Sequence, residues 1–434
     1  MIIFKTSQQP IARNYDSAQL GIPNITSNQN LENIDKANFL YNFIAVFFSI
    51  FLSSIGYGIL IVLISLQVEH HIKNEILISI STATQISSGV FFARFLPGIV
   101  AKYGALKTVR FYSIISALSA VILCFYFNYF WWLIVILAFG ISLFSCGVVR
   151  QTIMIDIAPV KSRAIIISCG TMVVSIGNSL GPLIYNIVNF NNQLIIHLIA
   201  CGFYLVSIIP ILRLNFSSNN ICEEKKITIF RYIKNSPKIM LAGFCTSYAL
   251  SSTNAFLIIY GIKVGLSTRD SAMLLSTLLF GTILSIPIGY LADIINRRLL
   301  MIFSAFMALI CSFYLLYQNN VNEIHLALFL LFGFLAGVKL PAIVLINEKY
   351  KQTQRISVNT AFARFSLTGN IFGLFSTGLL MKSIGPQGLW VSICLILTIF
   401  LVICLSDYFM KVKKGQFEWS TRIFIKKEES IQQE

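Results

Sequence analysis

Four basic residues, Arg94, Arg150, Lys339 and Arg364, stand inside stretches of sequence that otherwise carry almost no charge. A guanidinium or ammonium placed where water is scarce can hold a carboxylate or phosphate, the guanidinium through a planar fork of N–H donors. No Asp or Glu lies deep in the same stretches, since Asp156, Asp293 and Glu348 fall at their ends. This sign pattern favours anionic or zwitterionic small molecules over cationic ones. Charges also gather in short boxes between the apolar stretches. GYLADIINRR (289–298) holds Asp293, Arg297 and Arg298, and a spacing of four or five residues lets the aspartate meet an arginine around one helical turn. Asp156 with Arg163, and Glu348 with Arg355, offer two further pairs for a gate.

Each of these residues needs an element to hold it. With 56% apolar and 12% charged residues among 434, and a mean hydropathy of +0.78, the chain is too apolar for a soluble globule. Windows of about 20 residues with few charges can cross the hydrocarbon as helices. Twelve occur, near 39–67, 77–101, 108–128, 131–154, 164–188, 193–213, 239–262, 271–293, 299–317, 325–346, 357–381 and 388–409. A charge at the bilayer centre costs about 2.5 to 3.5 kcal/mol even on lenient scales. Counting ~1.5 Å per residue from the nearest loop places Arg150 at ~9 Å, Arg94 at ~10 Å, Lys339 at ~12 Å and Arg364 at ~13.5 Å, against a half-thickness of ~15 Å. The first two can snorkel back to the interface, whereas the last two approach the midplane.

Arg364 shares one face of its helix with Ser357, Thr360 and Thr368. Similar polar stripes join Ser49, Ser53 and Tyr57, then Ser81, Gln85 and Ser88, then Ser247, Ser251 and Asn254. The candidates for substrate binding are therefore Arg364, Lys339, Arg94, Arg150, Tyr57, Gln85, Asn254, Thr360 and Thr368. A single serine or threonine can equally bond its own helix backbone. His70, His71, His197 and His325 fall near span ends and read as interface residues.

The net charge of +16 reports topology rather than a nucleic-acid partner. With both ends placed in the cytoplasm, 25 of the 33 Lys and Arg fall in the tails and cytoplasmic loops and only four, Lys73, Lys263, Arg269 and Lys382, in the outer loops. That asymmetry is the positive-inside bias. No CxxC spacing and no metal-ligand cluster is present, and no nucleophile with its base stands at membrane depth, so no cofactor, metal or enzymatic activity is expected.

A shift of 192 residues superposes PGIVAKYGAL (97–106) on GYLADIINRR, Asp156 on Glu348, Arg163 on Arg355, and GNSLG (177–181) on GNIFG (369–373), with no gap. The chain is thus read as two similar six-helix halves, an organisation expected of transporters. The expected division is a tail (1–37), a first bundle (38–213), a linker (214–238), a second bundle (239–410) and a basic tail (411–434). Gly177 and Gly181, and Gly369 and Gly373, lie four apart on one helix face and favour close helix packing, with Pro182 marking a kink.

Two six-helix halves, a long connector, and a GxLADxxGRR-like box carried by Gly289, Leu291, Ala292, Asp293, Arg297 and Arg298 resemble the major facilitator superfamily of secondary transporters. The box departs at Asn296, and its first copy has Ala101 in place of the acid. GNSLGP (177–182) is similar to part of the family's antiporter signature. The resemblance implies an all-α membrane protein of twelve helices in two pseudo-symmetric bundles, moving a small organic solute by alternating access. An efflux antiporter for drugs or siderophore-like compounds is the alternative, and a non-transporting receptor a remoter one. A coupling ion, either a proton or an exchange anion, a monomer, and a bacterial inner membrane complete the expectation.

Overall fold

The computed structural model describes residues 25–72, 74–92, 95–125, 128–157, 163–188, 193–212, 214, 233–318, 320–350 and 355–413. Arg94, most of the linker and the outer parts of both tails lie outside them, as do the side chains of Asp156, Arg163, Asp293, Arg355, Ser357 and Thr360. Among the described residues the chain forms twelve helical rods and no strand. Helices are what a lipid solvent demands, because each backbone N–H and C=O must find its partner within the segment. Spans 1, 3, 4 and 5 are single helices at Ile25–Ile72, Ala105–Ile122, Tyr129–Ile157 and Arg163–Ile187. Span 2 comprises Glu75–Phe92 and Leu96–Tyr103, with Pro97 in the first turn of the second piece, and span 6 comprises Gln193–Val206 and Ile209–Leu212. Spans 7, 9, 10, 11 and 12 are Pro237–Lys263, Arg297–Tyr317, Val321–Lys349, Arg355–Ile384 and Gly388–Lys413. Span 8 runs Thr268–Phe280, passes through a 3-10 turn at Gly281–Leu284, and continues as Ser285–Ile294.

The first helix starts at Ile25 rather than near residue 39. Its polar opening contains no Gly or Pro to stop it, and the stretch apolar enough to cross a membrane is Tyr41–His71. Eight rods meet the length and hydropathy needed for a crossing, namely spans 1, 3, 4, 6, 8, 9, 10 and 12. Among the described residues spans 2, 5, 7 and 11 do not meet it, and spans 7 and 11 carry serine, threonine and asparagine along their length. Each of these four packs on the opposite half: span 2 on span 11, span 5 on span 8, span 7 on span 1. Protein screens them from lipid on that face, so the apolar requirement is relaxed. His197 is also not an interface residue; it is fully buried, with Nδ1 2.8 Å from the Ala120 carbonyl and Nε2 3.2 Å from Gln67 Nε2.

The tightest contacts are made by glycine. A methyl group on Gly181 of span 5 would run into the backbone of Gly58 in span 1, and one on Gly177 into Ser54 and the Phe51 carbonyl. In the second half, Gly369 and Gly373 of span 11 face the carbonyls of Phe244 and Tyr248 in span 7 in the same way. Pro182 lies within the span 5 helix, buried beside Gly181.

We call the end at which span 1 begins and span 12 finishes basal and the other distal. The halves meet in the distal part through an ion pair between Glu75 and Lys263. Ser79 Oγ donates to the Leu374 carbonyl at 2.9 Å, Ser276 Oγ to that of Ser179 at 2.6 Å, and Asn186 Nδ2 to that of Arg269 at 3.2 Å. Burial pushes the Glu75 carboxyl up, but hydrogen bonds from Lys263 and from its own backbone N–H, with the charges of Lys263 and Lys382, outweigh this and leave it below its ordinary value. A depressed carboxylate contributes its stabilisation above the ordinary value and loses it as pH falls through the lowered one. The pair is therefore intact at neutral pH.

Two outcomes follow from this packing. Gly181→Leu should lower stability by about 1 to 3 kcal/mol through overpacking, read as a melting shift in detergent. Gly98→Ala, where the space is open, should be neutral or mildly stabilising. Lys263→Glu should open the distal end, raising thiol labelling of a Ser79→Cys reporter in an otherwise cysteine-free chain, and adding Glu75→Lys should restore protection. Labelling of the single variant should not change if the pair contributes nothing to closure.

Candidate functional site

A cavity of about 560 Å³ opens in the first bundle at mid to basal depth. Span 1 contributes Ser53, Ser54 and Tyr57, span 4 Gly147, Arg150 and Gln151, span 5 Thr171, Ser175 and Asn178, and span 6 Tyr204. The volume suits a small organic ligand. The close crossing of spans 1 and 5 fixes two of these walls, because Ser54 and Asn178 each lie about one turn from the glycine contact.

Arg150 is the charged residue of this cavity and only 5% exposed. It does not snorkel to the interface. Its Nη1 donates to Ser53 Oγ at 2.6 Å, and its Nη2 to Ser113 Oγ at 3.1 Å and to Ser207 Oγ at 3.0 Å. The hydroxyls are themselves oriented: Ser53 donates to the Ile50 carbonyl at 2.9 Å and Ser207 to that of Tyr204 at 2.6 Å, leaving their lone pairs for the guanidinium. Three dipoles thus stand where a carboxylate would be, so the charge is held but not neutralised. Arg150 Nε is buried with no acceptor. The Asn178 Oδ1 and the Tyr204 hydroxyl are likewise buried without partners.

The other candidates are spread over the fold. Tyr57 lines the same cavity and its ring lies 6.3 Å from that of Phe139. Gln85 keeps Nε2 buried and unpaired; its carbonyl faces Gly140 of span 4. In span 7 Asn254 has an unpaired buried Oδ1. Lys339 is half-buried in span 10. Arg364 and Thr368 lie on an exposed face of span 11 together with Phe372, and Thr368 Oγ1 donates to the Phe365 carbonyl at 2.7 Å. Ser88 and Ser251 also donate to carbonyls three residues back. At the basal end Arg297 pairs with Glu348 and its Nε donates to the Ala292 carbonyl at 3.1 Å, while Asn296 caps span 9 by accepting from the Arg298 N–H at 3.0 Å. The box thus reaches the end of span 10 through Arg297.

Sequence reasoning missed Ser113, Ser207, Tyr204 and Asn178. A signal existed for Asn178 alone, since GNSLG and GNIFG place an asparagine in the same register of both halves, at 178 and 370.

The sequence profile of the Major Facilitator Superfamily matches residues 46–282 and 239–416. Comparison with curated proteins finds no match. Among solved structures, a bacterial homologue of the human lysosomal transporter Spinster, in an inward-facing and unoccupied conformation, is 16% identical, with a TM-score of 0.68 over 88% of this chain and 99% of that one. The nucleoside transporter NupG is 14% identical, with a TM-score of 0.70 over 85% and 99%. A D-xylose-proton symporter is 13% identical, with a TM-score of 0.65 over 84% and 95%.

The serine cage can be tested by stability alone. Ser207→Ala leaves a buried guanidinium N–H unpaired and should lower stability by about 1 to 3 kcal/mol. Arg150→Met removes the charge with its desolvation cost and should melt at or above the wild-type midpoint. A marked loss of stability in Arg150→Met would make the guanidinium a structural strut.

Proposed function

The chain belongs to the major facilitator superfamily, and from that premise we propose that it carries a small anionic or zwitterionic solute across a membrane by alternating access. The observation carrying this reading is Arg150, a buried cation on a cavity wall whose partners are three neutral hydroxyls. In a low dielectric an unneutralised guanidinium attracts an anion strongly and repels a cation. The Lys339 ammonium in the second half adds to the same positive field. Arg94, Arg364, Thr360 and Thr368 remain further candidates along the path.

Distal closure combined with a cavity at basal depth supports an arrangement open toward the basal side, the conformation named for the Spinster homologue. The Lys and Arg asymmetry supports a cytoplasmic basal end, with both termini inside and a bacterial inner membrane as the setting. Arg297 with Glu348, and the Asp293 and Asp156 boxes, would then act as the cytoplasmic gate. Among the described residues the spans offer no mid-depth carboxylate to carry a proton, which favours an exchange anion as the coupling partner. The chain is taken to work as a monomer.

Purified protein in liposomes tests the reading by entrance counterflow. Vesicles preloaded with a mixture of organic anions should accumulate labelled anions, and a matched cation load should drive no uptake. Uptake of cations in preference to anions would overturn the proposed solute class, and binding with no exchange for any load would make the protein a receptor.

A further inference from the structure

We infer that the cavity around Arg150 is a self-contained anion seat of the first bundle that selects a carboxylate bearing a neutral hydrogen-bond donor, such as a hydroxyl, and an apolar body. This deepens, and rests on, the anionic or zwitterionic reading above.

The cavity has polar groups without partners on its lining residues. A guanidinium has five N–H donors, and Arg150 places three of them on Ser53, Ser113 and Ser207. The two that remain are on Nε and Nη1, and Arg150 lines the cavity. Buried donors without acceptors are costly, and the cheapest remedy here is an anion, because it supplies both lone pairs and charge. Tyr204 lines the same cavity, and its buried, unpaired hydroxyl would donate to an anion that reaches it.

Asn178 Oδ1 makes the opposite demand. Asn178 lines the cavity and its Oδ1 is buried with no donor, so a ligand that reaches it would satisfy it by offering an N–H or O–H. A neutral hydroxyl fits better than an ammonium. Among the described residues no carboxylate lines the cavity, so an ammonium would exchange its water for amide and hydroxyl dipoles while sitting near the Arg150 charge. Leu143, Phe144, Met154 and Val174 supply an apolar wall, which favours a hydrocarbon body over a small polar acid.

The seat is also one-sided. All its polar groups come from spans 1, 3, 4, 5 and 6 of the first half, and the position of span 10 in register with Arg150 is Ala342. The second bundle would close over the ligand rather than duplicate the anchor.

Three acids on one frame separate the demands: mandelate carries a hydroxyl beside the carboxylate, phenylacetate carries hydrogen there, and phenylglycine carries an ammonium. Equilibrium binding of each to the full-length protein in detergent is measured for wild type, Asn178→Ala and Arg150→Met. Mandelate should bind about tenfold more tightly than phenylacetate, the worth of one net hydrogen bond at its upper range, and phenylglycine most weakly. Asn178→Ala should abolish the preference for mandelate while leaving phenylacetate affinity within about twofold. Arg150→Met should lose binding of both carboxylates. Phenylglycine binding as tightly as mandelate, or Asn178→Ala weakening mandelate and phenylacetate equally, would overturn the hydroxyl selectivity. Equal binding of the carboxylates by wild type and Arg150→Met would remove the seat but leave an anion carrier. Counterflow of cations alone would remove both.

Discussion

The contact of span 1 with span 5 is the constraint on which the rest of the first bundle depends. Gly58 and Gly181 carry no side chains, so the two helix backbones touch there. Ser54 and Asn178 lie about one turn away on their respective helices. The contact therefore delivers polar side chains of both helices to one wall at one depth. A larger residue at either glycine would part the helices and widen the cavity they bound. Span 4 then completes the enclosure, since the Gly140 backbone seats against the Gln85 carbonyl and Ser88 of span 2. Small residues let these helices pack without the hydrophobic drive that water supplies to soluble bundles.

A second constraint acts on the charge that the cavity holds. Arg150 reaches its acceptors on spans 1, 3 and 6, and each acceptor hydroxyl is turned by a backbone carbonyl or a neighbouring thiol: Ile50 for Ser53, Tyr204 for Ser207, and Cys146, 3.5 Å from Ser113. A carboxylate at any of these places would have stabilised the guanidinium more and cancelled its field. Serine holds the side chain in one position while leaving its charge available. The stability forgone fits the proposed role, in which the site would engage and release an anion.

Much of the fold was legible because membrane burial leaves a coarse signal. The twelve apolar windows, the repeat at 192 residues and the four-residue glycine spacing each report a backbone property, and backbone properties survive in local sequence. The lower apolarity of spans 7 and 11 was legible as polar stripes. Its cause was not, because the reason is contact with the other half. Depth along a helix was also readable, but azimuth was not. Arg364 sits closest to the midplane by residue count, yet helical periodicity fixes only which residues share its face, and that face is exposed on span 11. Arg150 counts as shallow enough to snorkel, and nothing in its own span shows that Ser53, Ser113 and Ser207, 97, 37 and 57 residues away, converge on it. For the same reason the pairing of Arg297 with Glu348 across the ends of two spans was not legible; the pairs read from adjacency, with Asp293 and Arg355, fall on side chains outside the described residues.

The two halves share a backbone plan but differ in their charges, and the difference has a physical logic. In register, Arg150 corresponds to Ala342 and Lys339 to Gly147. Gly147 lies on the cavity wall with open space where a side chain would be, and under the proposed function the repeat would put Lys339 on the corresponding wall of the second half. Cations at strictly equivalent positions would confront one another at the same depth, at a cost that grows as water leaves. The three-residue offset between the registers of Arg150 and Lys339 separates them by about 4.5 Å in depth. An anion entering from the basal side would meet Arg150 first and the Lys339 level one helical step later. Two staggered cations form a graded path, whereas two matched ones would form either a barrier or a trap.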